Sequence, residues 1–349
     1  MEIKKFSISN DRGIYEAFPD VVLTTGGKLI CVFAECTHHS DRDYTRIMIC
    51  GSTDRGRTWS RKTALSESTK GLAYFLNCPR IQQLDDGRLV VVVDRIPGKI
   101  GEDESRTKSV IVLYFSSDDG TTWSEPVETP ARGIVPDKIC VTQTGRWLLG
   151  CHFNDLDFGH LVQRLWYSDD RGKSWKGPII VGKKKGLSLC EVSILPVKDK
   201  LVAFLRENSF TGLDCFKTVS GDDGATWSDP VKFPMPGCHR PVAGYLNDGQ
   251  LFITYRFMQG GKGWLGHWTQ NLFAAVTDDE SALAEKREDA WTRIIPIDHD
   301  PSEISDLGYS GWVQFDDGEI YIVNYIVDDA EKAQIRGYSL TLKKVEDTP

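Results

Sequence analysis

One eight-residue pattern, S-x-D-x-G-x-[ST]-W, constrains this chain more than any other feature. It occurs at Ser52–Trp59, Ser116–Trp123, Ser168–Trp175 and Ser220–Trp227, with the serines 64, 52 and 52 residues apart. The spacing has a local physical reason. Ser and Asp side chains cap a tight turn, Gly accepts a positive φ, and Trp supplies a large apolar plug between neighbouring sheets. A decayed fifth copy is readable at Thr277-Asp278-Asp279, with Trp291 displaced by an insertion.

A second repeat interleaves with the first. A turn followed by an apolar run recurs at Gly27-Lys28-Leu29, Gly87-Arg88-Leu89, Gly145-Arg146-Trp147, Asp199-Lys200-Leu201, Gly249-Gln250-Leu251 and Gly318-Glu319-Ile320. Runs such as Leu89-Val90-Val91-Val92-Val93 flanking an Asp-Gly or Gly-Gly turn are hairpin signals. Six units of this kind, each with about four short strands, predict an all-β, six-bladed β-propeller. The last unit runs out of chain after its third strand, near Gln334 to Val345, so the alternating segment Ile3 to Ile8 is expected to supply the fourth and close the ring. No Pro/Gly/Ser-rich linker divides the chain, and residues 1–349 read as one domain. Helical patterning is confined to Glu280–Lys286.

Composition narrows the partners. The 349 residues carry 42 Lys+Arg against 50 Asp+Glu, a net charge of −8, which disfavours nucleic acid as a ligand. No apolar stretch has the length of a membrane helix. The start, Met1-Glu2-Ile3-Lys4-Lys5-Phe6, lacks a following apolar region, so no signal peptide is visible and a cytoplasmic location is expected. A secreted chain whose leader had been removed would read the same. The nine cysteines form no CxxC pair and read as reduced core residues, with no short-spaced Cys/His set for zinc.

Strand order separates the two ends of a propeller. The S-x-D-x-G turns and the first hairpins fall on one end, where their carboxylates serve as turn caps. The other end is lined by the starts of the innermost strands and the ends of the second strands. There the sequence places Cys78-Pro79-Arg80, Pro136-Asp137-Lys138, Cys190-Glu191-Val192, Arg240-Pro241-Val242 and Tyr309-Ser310-Gly311, facing Asp94, His152, Arg206, Arg256 and Tyr325. A ring so rich in charge is unlike a core-facing column and points to a small, polar site for an anionic ligand: Arg80, Arg206, Arg240, Arg256, Asp137, His152 and His239 are the candidate contacts.

These motifs are those of the Asp-box, or BNR, branch of the sialidase (neuraminidase) superfamily, which the chain resembles over essentially its whole length. The resemblance implies a Tyr nucleophile paired with a Glu, an Asp acid/base and arginines that hold a substrate carboxylate, with no metal or organic cofactor. Leu189-Cys190-Glu191-Val192-Ser193-Ile194 with the downstream Arg206 matches the segment carrying the Glu and an Arg, and Gly308-Tyr309-Ser310 matches the nucleophile segment. The loop His38-His39-Ser40-Asp41-Arg42-Asp43 stands where the acid/base Asp is expected, with Asp43 the choice and Asp41 the alternative. The first blade departs from the family's Phe/Tyr-Arg-Ile-Pro, since Glu16-Ala17-Phe18-Pro19 puts Ala17 where an arginine belongs. Arg80, Arg240 or Arg256 is expected to compensate. The function implied is an exo-acting, retaining hydrolase of a terminal sialic acid or related acidic sugar. A uronate- or rhamnose-directed glycosidase or lyase using His152 or His239 is the first alternative, and a non-catalytic glycan-binding propeller the second. The glycine-rich segment Phe257–Trp264 is a candidate sugar-stacking flap.

Overall fold

The four box turns fold as their spacing requires. Ser52 Oγ donates to Asp54 Oδ1 at 2.8 Å and accepts the Gly56 amide at 2.9 Å. Asp54 in turn accepts the Thr58 amide at 2.9 Å and the Thr58 hydroxyl at 2.5 Å. The same bonds recur at Ser116/Asp118, Ser168/Asp170 and Ser220/Asp222. The hydroxyl and amide donors of the turn hold Asp54, Asp118 and Asp170 down at about 2. Gly56 has a φ of +80°, and a Cβ there would lie 2.3 Å from the Tyr321 ring of the last blade. The turn therefore needs glycine twice, for its backbone and for its close approach to a neighbour.

The computed structural model describes residues 2–39, 42–98, 108–210, 213–258, 270–328 and 330–342. Within them the strands form six antiparallel four-stranded sheets. Five sheets run in simple chain order from the axis outward. The innermost strands of blades 1, 2, 4 and 5 are Tyr15–Leu23, Tyr74–Gln83, Leu189–Val197 and Cys238–Tyr245. Blade 3 begins with only Cys140–Val141. Blade 6 contributes Leu307–Gln314, Glu319–Ile326 and Gln334–Thr341, and its outer strand is Ile3–Ser9, paired Ile3 to Leu340. The expected closure by the N-terminal strand is what the sheet shows. The six sheets stay separate, so each keeps only short strand edges, protected by the packing of neighbouring blades.

Blade faces stack through apolar layers, for example Val90, Val92 and Ile111 of blade 2 against Trp147 and Leu149 of blade 3. All nine cysteines are buried and unpaired. The fifth box has kept its ends and lost its middle. Trp291 Nε1 donates to Asp278 Oδ2 at 2.9 Å, while the insertion between them folds as the short helix Asp279–Leu283, capped by Asp278. Lys217, almost fully buried on blade 4, donates to the Ser281, Ala282 and Ala284 carbonyls at the end of that helix, where a cation complements the open carbonyls. Among the described residues no helix is long and apolar enough to cross a membrane.

The box turns lie at the end of each blade opposite the starts of the inner strands. Asp222→Ala is therefore expected to lower stability by about 1 kcal/mol, the cost of losing a side-chain cap. Ligand affinity at the other end should be unaffected. Thermal melting and a binding titration on one sample check both halves, and a variant of unchanged melting with lost binding would reverse the assignment of the two ends.

Candidate active site

A single backbone device, repeated six times, builds the functional end. Near the start of each inner strand one residue takes a positive φ: Phe18 (58°), Cys78 (28°), Val135 (50°), Glu191 (48°), Arg240 (52°) and Gly308 (100°). In five blades the ladder skips that residue and the next, between Ala17 and Asp20, Asn77 and Arg80, Cys190 and Ser193, His239 and Val242, and Leu307 and Ser310. These are β-bulges, which re-aim side chains at the rim of a sheet. The skipped position tolerates proline because it makes no ladder bond, and Pro19, Pro79 and Pro241 occupy it. Five of the six positive-φ residues are not glycine, a strain that concentrates where a fold holds side chains for a purpose. Gly308 is needed for contact, since a Cβ would lie 2.5 Å from that of Arg256.

The strand heads enclose a cavity of about 180 Å³, walled by the positive-φ residues Phe18, Cys78, Val135 and Glu191. That is below the roughly 300–1,000 Å³ of drug-sized ligand pockets and suits one sugar unit. Tyr309, Arg206, His152, Arg42, His39, Asn77 and Asn208 complete its polar wall. Tyr309 donates its hydroxyl to Glu191 Oε1, and the Arg206 guanidinium meets the same oxygen at 2.6 Å. Arg206 also stands 3.3 Å from the Tyr309 hydroxyl and donates to Asn208. All three are nearly buried, Tyr309 at 8%, Glu191 at 4% and Arg206 at 6% exposure.

Electrostatics follow from this packing. Burial alone would raise Glu191, but Arg206, Arg256 and His152 overcome it and hold the carboxyl at about 2. Burial and the adjoining Glu191 charge push Tyr309 well above its ordinary value. The pair is thus an ionised carboxylate accepting from a neutral phenol. Arg256 lies behind the ring, its guanidinium carbon 4.8 Å from the Tyr309 centroid. His239 stands 3.4 Å from Arg256 and is kept neutral by burial and by Arg206 and Arg256. His152 Nδ1 accepts the Glu191 amide at 3.3 Å, so this histidine fixes the bulge that presents Glu191.

Tyr309, Glu191, Arg206 and His152 are thus brought together, whereas Arg256 and His239 lie one layer behind Tyr309. Arg80, Arg240 and Asp137 do not line the cavity. Arg80 donates to the Ser310 carbonyl at 3.0 Å and Arg240 to the Pro136 carbonyl at 2.6 Å, each tying together two non-adjacent blades. Asp137 accepts the Ile194 amide at 2.8 Å, joining blade 3 to blade 4. With Asp20 and Lys138, 3.3 Å apart, they form a buried ionic plug deeper along the inner strands. Charge is retained there because each group has a partner across the axis. Asp43 is exposed and off the cavity wall. Asp41 and residues 259–264 of the candidate flap lie outside the described residues.

Sequence reasoning passed over three groups. Arg42 reaches in from the first-blade loop, its guanidinium 4.9 Å over the Phe18 ring and donating to Asn77. His39, from the same loop, also lines the cavity. Asp306, three residues before Tyr309, keeps 13% of its side chain exposed and is bonded to His39, Tyr15 and Tyr325. The loop stood out by its composition, but nothing local marks Asp306. Among the described residues no cluster of three His, Cys, Asp or Glu side chains is placed to hold a metal ion.

Comparison with known proteins defines the class first. The propeller of a protein of unknown function from Dyadobacter fermentans superposes with a TM-score of 0.78 at 19% identity, covering 98% of this chain and 99% of that one. A Hadza microbial sialidase gives 0.70 at 18% over 98% of this chain and 69% of its own. The intramolecular trans-sialidase of Ruminococcus gnavus gives 0.69 at 14%, covering 96% of each. These are sialidase-type six-bladed propellers in fold. The family model for the BNR repeat-like domain matches residues 75–322, and the chain belongs to that family. A curated xyloglucanase from a Paenibacillus species is 26% identical over 174 residues, 46% of this chain but only 15% of that much longer protein.

Proposed function

We propose that this protein is an exo-acting, retaining glycoside hydrolase that removes a terminal acidic sugar, of the sialic acid type or related to it. The observation that carries the reading is Tyr309 hydrogen-bonded to an ionised Glu191 inside a one-sugar cavity. An anomeric carbon bearing a carboxylate repels an anionic nucleophile, and a neutral tyrosine that gives up its proton as it attacks avoids that repulsion. Sialidase-type neighbours in fold and a glycosidase among the relatives support a glycan substrate.

Substrate binding is coupled to the chemistry. Arg206 grips Glu191 in the free site. An incoming carboxylate competes for that guanidinium, loosens its hold on Glu191 and makes Glu191 the stronger base when the sugar is in place. Arg42 and Arg206, each anchored to a wall asparagine, supply the fixed cationic donors, in place of the arginine absent at Ala17. The bond to the leaving oxygen breaks as Tyr309 Oη bonds to the anomeric carbon, and water later releases the sugar with its configuration retained.

The test is a panel of aryl glycosides that includes an α-sialoside and a uronide, with proton NMR of the first anomer released. Hydrolysis of acidic members with retention is expected. Turnover of none leaves a glycan-binding propeller, and an unsaturated, ultraviolet-absorbing product makes it a lyase.

A further inference from the structure

Resting on that reading, we infer that His39, oriented by Asp306, is the general acid and base of the reaction. The two residues are 267 positions apart, yet His39 Nδ1 lies 2.5 Å from Asp306 Oδ2. His39 packs edge-on against Phe18, 5.3 Å between centroids, and Phe18 stands 5.3 Å from the Tyr309 ring on its other side. Histidine and nucleophile thus flank one aromatic on the wall of one cavity. With Nδ1 committed to the carboxylate, Nε2 is the nitrogen left to act, and among the described residues it has no partner. A base fixed by a second group, on the wall of the cavity that holds the nucleophile, is the arrangement that acid–base catalysis requires.

Asp306 is built for this task. Tyr15 and Tyr325 donate to its two oxygens, and Arg256 lies 3.9 Å away. Burial would raise its carboxyl, but His39 and Arg256 bring it below its ordinary value, so it is ionised and accepts from His39 Nδ1. The titratable and charged groups in contact with His39 are Asp306, Tyr15 and Arg42, whose Nε donates to the His39 carbonyl at 3.3 Å. Asp43, three positions beyond the dyad's neighbour, is exposed.

The protons balance. As Tyr309 Oη bonds to the anomeric carbon, its proton passes to Glu191, and the glycosidic C–O bond breaks with its electron pair on the leaving oxygen. That oxygen takes the proton from His39 Nε2. Neutral His39 then removes a proton from water as the water oxygen attacks the anomeric carbon. The bond to Tyr309 breaks, its electron pair returns to Oη, and Glu191 gives the proton back. The net change is hydrolysis.

The experiment uses 4-nitrophenyl and methyl glycosides of N-acetylneuraminic acid and of glucuronic acid, with wild type, His39→Gln, Asp306→Asn, Asp43→Asn and Tyr309→Phe. A nitrophenolate leaves without a proton and a methoxide does not. His39→Gln is expected to lose roughly 10²- to 10⁴-fold on methyl glycosides and under tenfold on nitrophenyl ones. Added azide should restore turnover as the retained glycosyl azide. The loss in Asp306→Asn should likewise be larger on methyl than on nitrophenyl glycosides, because the carboxylate that orients His39 is gone. Equal losses on both leaving groups, or the leaving-group pattern appearing in Asp43→Asn instead, overturn the assignment. His39 is partly exposed, so the substitution leaves the core intact, and melting curves verify it. Failure of the nucleophile assignment reads out separately, as an inverted product from wild type or full activity of Tyr309→Phe.

Discussion

Tyr309→Phe should nearly abolish turnover, by roughly three or more orders of magnitude, because the bond-forming atom is gone while the ring that fills the wall remains. Its aromatic contacts to Phe18 and Tyr325, at 5.3 and 6.4 Å, need only the ring, so melting should change little. The variant also removes one donor from Glu191, which keeps Arg206 as its partner. Affinity for an acidic sugar should therefore survive, and the loss should fall on kcat. Initial rates on the best substrate from the panel, with a binding titration of the free sugar, make the measurement. Activity above about a tenth of wild type would remove the Tyr309/Glu191 pair from the chemistry.

The second large effect concerns charge selection. A charge-assisted hydrogen bond contributes about 1.5–3 kcal/mol, so losing one costs roughly ten- to a hundredfold. Arg42→Met should reduce the preference for an acidic glycoside over its neutral amide by that factor, leaving the neutral rate almost unchanged. Arg206→Met should reduce the preference too, and should also slow the neutral substrate, because Glu191 is left buried without its counter-ion. Arg80→Met and Arg240→Met should lower the melting temperature through the axial plug and leave the preference alone. Rates on the acid and amide pair in all four variants decide the matter. Equal wild-type rates on the two sugars would exclude a carboxylate clamp.

That contrast shows where the sequence was readable. Arg80, Arg206, Arg240 and Arg256 occupy similar columns counted from the repeated turns, and by position alone each is a candidate ligand. In the structure Arg206 faces the cavity, Arg256 backs the tyrosine, and Arg80 and Arg240 bond to carbonyls across the axis. Alternation along a strand predicts facing only while the ladder is regular. The bulge at the head of five of the inner strands leaves two residues unpaired, and that changes which side chains point inward.

What the sequence determined by itself is whatever a few neighbouring residues can enforce. The box turns close through bonds between positions two and four apart, Ser52 to Asp54 and Asp54 to Thr58, so their spacing reveals the repeat, and the six interleaved hairpin turns give the number of blades. Closure by Ile3–Ser9 follows from a last unit one strand short. The Glu191, Arg206 and Tyr309 segments were likewise legible, because each is a contiguous motif. Tertiary structure alone decided the pairing of His39 with Asp306, the entry of Arg42 over Phe18, and the withdrawal of Asp137 into a blade-to-blade bond. Those contacts join residues tens to hundreds of positions apart, and they exist only once the heads of six separate blades are gathered around one axis.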